Sequence, residues 1–194
     1  MKNLSKTFRG RFRIRENIEI VVRDKNGKIK PVFQPNKLFQ FLIATGIVSP
    51  LFHKIPFLLG SWQQSLNVSN LVPTVGKAGV ASRINGDGAE AVFTYIAVGT
   101  GTTGADAANT TLEAEIADSG LNRQAGTASR STTDVTNDTA ELTKTFTVTG
   151  TKAVTESGVL NAGAAGTLLN RQVFAAVNVV SGDSLQITHK FDID

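Results

Sequence analysis

Beyond residue 90 the chain reads almost entirely as strand, and this constrains the fold more than any other feature. In Leu142-Thr143-Lys144-Thr145-Phe146-Thr147-Val148-Thr149 the apolar residues alternate strictly with Thr and Lys, which gives a strand one buried and one wet face. Candidate strands run over Ala91–Val98, Leu121–Val135, Thr139–Thr149, Ala153–Asn161, Leu168–Val180 and Ser184–Phe191. Turn sequences at 134–138 and at Ser181-Gly182-Asp183 separate some of them. Several strands with turn signals and no long helices between them predict a mainly β chain. The expected architecture is an antiparallel β-sandwich, jelly-roll-like, rather than a parallel sheet.

The first 90 residues are more mixed. Phe12, Ile14, Ile18 and Ile20 fall on one face of an alternating run and Arg11, Arg13 and Arg15 on the other, with a phase change near Asn17 only if a bulge intervenes. Asn26-Gly27 between two strand-like runs is a hairpin signal, so Ile29–Phe33 should return antiparallel. Asn36 is placed to cap a helix through Gly46, with Leu38, Phe41 and Leu42 at i, i+3, i+4 spacing. A second helix is expected from about Ser69 to Ile84, ended by Asn85-Gly86-Asp87-Gly88. The resulting organisation is a basic arm and hairpin at 1–35, a helical and apolar-loop segment at 36–84, and the sandwich at 85–194.

One motif invites a different reading. The run Phe93–Val98 leads into Gly99-Thr100-Gly101-Thr102-Thr103-Gly104, a literal G-x-G-x-x-G. A dinucleotide site also needs a helix starting on the glycines, a second buried strand and an acidic residue about 20 positions on. The segment 105–116 could form a short helix, but its Asn109-Thr110-Thr111 start falls after the glycines, and Asp118 sits in an Asp-Ser-Gly turn. Residues 121–135 lack the continuous apolar run of a doubly covered parallel strand. The glycines are therefore expected to form a structural corner, where positive φ is needed and neighbours come close.

Composition narrows the remaining classes. The chain has no cysteine, which removes disulfides and thiolate metal sites. Its basic N-terminus is not followed by an apolar signal core, and Leu38–Ile47 and Ile55–Leu59 are too short and interrupted for a membrane helix. The net charge of +4 hides an asymmetry: up to Gln40 there are eleven Lys/Arg against three Asp/Glu, and beyond it nine against thirteen. A basic end and an acidic body suggest docking on a negative surface, whether nucleic acid, a partner protein or another copy. Nucleic acid is the lesser choice, because Phe12 lies opposite the arginines instead of interleaving with them.

Residues 51–62, with Phe52, Ile55, Phe57, Leu58 and Trp62, form the most apolar non-periodic stretch. It reads either as a loop folded into the core or as a contact surface covered by a neighbouring copy. Catalytic material is thin. His53 lies in that apolar run and His189 alternates along the last strand, so each reads as a packed or surface residue. Asp192 with Asp194, and Asp134 with Asp138, do not match a twelve-residue calcium loop. Glu113 with Glu115 cannot be recognised as a glycosidase pair from sequence separation. No catalytic residue, cofactor, metal site or small-molecule substrate is expected.

The residues also carry a family resemblance. Asn85-Gly86-Asp87-Gly88 through Phe93–Thr103, Thr110–Glu115, Thr155–Asn161, Leu168–Phe174 and Ser181–Thr188 occur in order, after a strand, an Asn-Gly hairpin and a helix. This series resembles a recurrent segment of small structural proteins of tailed bacteriophages, over most of the chain and least over Ser49–Leu66, which looks like an insertion. The resemblance implies a β-sandwich subunit of a virion head, neck or tail, assembled in the bacterial host cytoplasm with copies of itself and other virion proteins. It carries over no catalytic residues. The interface expected on this reading uses Arg11, Phe12, Arg13, Ile14 and Arg15 of the arm and Phe52, Ile55, Phe57, Leu58 and Trp62 of the insertion. A receptor- or carbohydrate-binding tail module, using loops 99–109 and 162–166, is the alternative.

Overall fold

Two antiparallel sheets meet across one apolar core in the computed structural model, which describes residues 14–49, 60–69 and 71–194. The strands are β1 (Ile14–Arg23), β2 (Ile29–Lys30), β3 (Val32–Pro35), β4 (Gly60–Gln63), β5 (Leu66–Ser69) and β6 (Tyr95–Gly99), then β7 (Gln124–Ala125), β8 (Thr127–Ser131), β9 (Thr139–Thr147), β10 (Lys152–Leu160), β11 (Leu168–Val179) and β12 (Ser184–Ile193). The helices are α1 (Lys37–Ala44) and α2 (Thr74–Asn85). The larger sheet has the order β2-β1-β12-β9-β8, with β5 also on β1; the smaller is β11-β10-β6-β7, and β3 and β4 form a separate ribbon.

Alternation sets the core. Ile18, Ile20 and Val22 of β1, Leu142 and Phe146 of β9, and Leu185 and Ile187 of β12 gather with Ile96 and Val98 of β6, Val154 and Val159 of β10, and Val177 and Val179 of β11. The mainly β, antiparallel sandwich expected from the sequence is the one that forms. The candidate strand 121–135 is divided, however: Ala125 pairs with Tyr95 in the smaller sheet and Thr127 with Thr143 in the larger. The chain crosses between sheets at Gly126, whose amide donates to Thr94 O at 2.8 Å.

The described part of the expected arm is not an appendage. β1 pairs along its whole length with β12, Ile14 opposite Ile193 through Arg23 opposite Ser184, without a bulge. The phase therefore never changes, and Glu16 takes an inward position between Ile14 and Ile18. After the Asn-Gly turn only two residues return beside β1. Pro31, which has no N–H to donate, follows them, and β3 leaves to pair with β4.

Asn36 caps α1 as expected, its side chain accepting from Phe39 N at 2.9 Å. The buried face is different: Phe39 and Ile43 pack on Phe33, Val173 and Ala175, while Leu38 and Phe41 are 68% and 58% exposed. The helix is apolar nearly all round, so spacing alone cannot choose its inner side. Helix α2 begins later than expected, after Pro73, and ends at Gly86 in the left-handed conformation.

Helix α2 buries two glycines, Gly76 and Gly79. A Cβ at Gly76 would lie 2.0 Å from Leu169 O on β11, so backbone meets backbone there. Gly76→Ala should therefore destabilise the protein by about 1–3 kcal/mol. In an exposed helix interior the same change gains about 1 kcal/mol. A urea midpoint that is unchanged or raised in Gly76→Ala would show that α2 does not need this close approach.

Candidate functional site

The glycine run covers a buried ion pair. Glu156 of β10 and Arg171 of β11 are 0% and 1% exposed, and Arg171 Nε donates to Glu156 Oε2 at 2.7 Å. Glu156 lies opposite Gly99 in the pairing of β10 with β6, so its side chain reaches over the start of the loop. Glu156 Oε1 accepts from Gly101 N at 3.1 Å and Ala114 N at 2.7 Å, and Oε2 from Glu113 N at 3.1 Å. The other end of Arg171 donates to Thr103 O, Asn109 Oδ1 and Glu113 Oε2 at 3.1, 3.1 and 3.2 Å. Glu113 closes the circuit by accepting from the Thr103 amide and hydroxyl at 2.8 and 2.7 Å. Those Thr103 bonds hold its carboxyl below the usual range, helped by the charge of Arg171.

The loop does bind an anion through backbone N–H groups, but the anion is the chain's own carboxylate. A Cβ at Gly99 would lie 2.3 Å from Glu156 Oε1, and one at Gly101 2.5 Å from the same atom. Neither residue has positive φ, so the expected conformational reason is corrected: the glycines make room for Glu156. Residues 105–116 form no helix. The last of them, 114–116, run back along the end of β6 instead, with Ile116 N donating to Val98 O and Thr100 N to Ala114 O, both at 2.9 Å.

A second polar cluster lies between the sheets. Ser157, Asn170 and His189 are all 0% exposed, and Glu16 is 6% exposed. His189 Nε2 is 3.0 Å from Ser157 Oγ, and its Nδ1 is 3.0 Å from Asn170 Nδ2. The set has the composition of a nucleophile, a base and an orienting group. Its polarity is reversed, however. Asn170 Oδ1 accepts from Val159 N at 2.8 Å, so its Nδ2 donates to Nδ1 and the imidazole proton resides on Nε2. Nε2 then donates to Ser157 Oγ, whose own proton goes to Ala97 O at 3.0 Å. A base must accept the serine proton, and here it donates one.

Burial sets the charges of this cluster. Desolvation lowers the His189 pKa to about 3, so the ring is neutral. It raises that of Glu16 to about 8. The Asn170 side chain pulls the other way, but neither Glu16 oxygen has a partner with hydrogen-bond geometry, so burial prevails.

Of the expected interface residues, Arg11, Phe12, Arg13, Phe52, Ile55, Phe57 and Leu58 lie outside the described residues, as does His53. Ile14 lines an open groove of about 310 Å³ with Val72, Val80, Ala81 and Ile84. Arg15 is exposed and pairs with Asp194 of its own chain. Trp62 is 53% exposed and packs edge-on against Phe33. It is therefore separated from Ile14 and Arg15: Trp62 sits on the ribbon, the other two at the start of β1. The loops of the alternative reading are also occupied, since Arg123 pairs with Glu115 and donates to the carbonyls of Ala162 and Ala165 at 3.0 and 2.6 Å.

Glu156, Arg171, Glu16, Asn170 and Ser157 were not singled out from the sequence. The available signal was opposite charges inside two successive apolar strands, in Thr155-Glu156-Ser157 and Asn170-Arg171-Gln172. Among the described residues no group of His, Asp and Glu is arranged to hold a metal, and no helix is long and apolar enough to cross a membrane. No protein-family model matches the chain, and neither a curated protein nor a solved structure proved similar to it.

Two predictions follow from the charges. Arg171→Met leaves Glu156 buried without its counter-ion and should cost about 3–5 kcal/mol, read by denaturant unfolding, with the Gly101 and Thr103 amides losing hydrogen-exchange protection. Protection that persists would mean the loop holds without the pair. For Glu16, the folded chain keeps its proton to about pH 8 while the unfolded chain releases it near 4.5. Stability is thus full below 4.5 and declines as pH rises towards 8, by about 5 kcal/mol at most. The melting temperature of Glu16→Gln should gain on the parent steadily between pH 5 and pH 8; a constant gap would place an ionised carboxylate in the core.

Proposed function

We propose that this chain is a non-enzymatic structural subunit of a tailed-phage virion, at the head surface, neck or tail, and that it acts by assembling with copies of itself and with other virion proteins. The observation that carries the reading is where the chain spends its chemistry. Its ion pair, acid, histidine and serine are all buried, the pair beneath the glycine run and the others between the sheets, whereas large apolar side chains face outward. Leu38 and Phe41 on α1, Ile47 just after it and Trp62 on β4 are each more than half exposed. They flank the apolar segment 50–59. Exposed apolar groups of this size in one region are characteristic of surfaces that associate. Together with the family resemblance over most of the chain, they favour a subunit over a catalyst.

The sugar- or receptor-binding alternative gains little support, because backbone groups of loops 99–109 and 162–166 are bonded to Arg171, Glu113 and Arg123. Sedimentation of the full chain tests the assembly reading. Self-association that rises with concentration is expected, and it should weaken in Phe41→Ser with Trp62→Ser, both positions more than half exposed. Removing residues 1–13 tests the arm without touching β1. A chain that stays monomeric up to its solubility limit, alone and with virion proteins, would overturn the proposal.

A further inference from the structure

The sheet edges are treated unequally. The outer side of β5 is capped by Gln34, whose Oε1 accepts from Asn67 N at 2.7 Å and whose Nε2 donates to Asn67 O at 3.1 Å, with Gln40 Nε2 on the same oxygen at 3.2 Å. On the other side of the sandwich β11 is covered by both helices and bridged at Arg171 by Leu71. β2 and β7 are two residues long. Each is a recognised way of blunting an edge.

Within the two sheets of the sandwich, strand β8 is the exception among the described residues. It ends the larger sheet, and neither of its faces is covered, Thr127 to Arg130 being exposed throughout. Its pairing with β9 has no bulge, and the strand contains neither Pro nor Lys. Within the described residues its backbone bonds only to β9, so every second residue turns an unpaired N–H and C=O outward.

We infer that β8 pairs with β8 of a second copy, joining two larger sheets into one continuous sheet across a two-fold axis. The sequence Thr-Ala-Ser-Arg-Ser selects the direction. A parallel, in-register pair would set Arg130 against Arg130, whereas an antiparallel pair centred on Ser129 sets Arg130 opposite Ala128 and Thr127 opposite Ser131. This register uses all five residues and places no like charges together. The partner is a copy of the same chain because the same short, small-residue edge satisfies both sides. The pairing is independent of the virion reading and uses a surface remote from Trp62 and Phe41.

The absence of cysteine makes the test clean. In the full chain Ser129→Cys places two thiols directly opposite, at a Cβ separation of about 4.5–5.5 Å that small shifts bring to disulfide range. Mild oxidation should yield a covalent dimer with Ser129→Cys, and with Thr127→Cys mixed with Ser131→Cys. Either of the latter alone, or Val135→Cys at the neighbouring loop tip, should react no faster than random collision. Ser129→Lys, which sets Lys against Lys, should convert a species of twice the chain mass to monomer with an unchanged circular dichroism spectrum. Cross-linking no better at 129 than at 135, or a dimer that survives Ser129→Lys, overturns the inference. Association that is lost in the Phe41 and Trp62 variants but untouched in Ser129→Lys would leave the assembly reading standing without it.

Discussion

A single buried ion pair, Glu156 with Arg171, determines how the outer face of the smaller sheet is covered. Taking both charges out of water is costly, and a buried pair by itself often contributes little net stability. What it contributes here is selection among loop conformations. Three backbone amides, two carbonyls and two further side chains are bonded to the pair, and another path for residues 100–116 would leave some of those polar atoms buried and unmatched. The penalty for that exceeds the gain from a made bond, so the pair acts as a template that accepts one arrangement of the loop.

The same two strands carry a neutral polar cluster on their other face. Glu156 and Ser157 are neighbours in sequence, as are Asn170 and Arg171, and alternation sends one of each outward to the ion pair and one inward to His189. Two buried carboxyl groups thus reach opposite solutions. Glu156 is bonded to a guanidinium and three amides, while Glu16, without a bonded partner, retains its proton to about pH 8. The inward cluster spans four strands, β1, β10, β11 and β12, and a one-residue slip of any of them would turn its polar side chain to the opposite face and out of the cluster. Its effect is on register.

How much of this was legible follows from what each signal measures. Period two located most strands beyond residue 90 to within a few residues, because burial on one face is what that pattern encodes. The cap at Asn36 and the Gly86 helix end were also local and readable. The inner face of α1 was not, since Leu38, Phe39, Phe41 and Leu42 are apolar on every side and the choice belongs to β11. The glycine run misled in an instructive way. The anion was correctly suggested by the motif, but its identity depended on Glu156, 55 residues away, and nothing local could supply it. Glu16 was hidden for a related reason: a lone acid in an apolar stripe looks like a break in phase until β12 is seen to run beside it unbroken.

The charge asymmetry is the feature whose meaning changes most. A basic start and an acidic remainder suggested an arm reaching for a negative partner, yet the topology brings the first and last strands together. Arg15 meets Asp194, and Lys30 meets Asp183 at 2.6 Å. Part of the positive excess is therefore answered within the chain. Partly exposed pairs of this kind contribute little to stability, but they match the two ends of one antiparallel pairing and so favour its register. With those charges engaged, long-range attraction is a weaker driving force for association than it looked. What the described surface offers a neighbour is shorter-ranged: apolar side chains beside β4 and the open backbone of β8, both of which reward geometric fit over net charge.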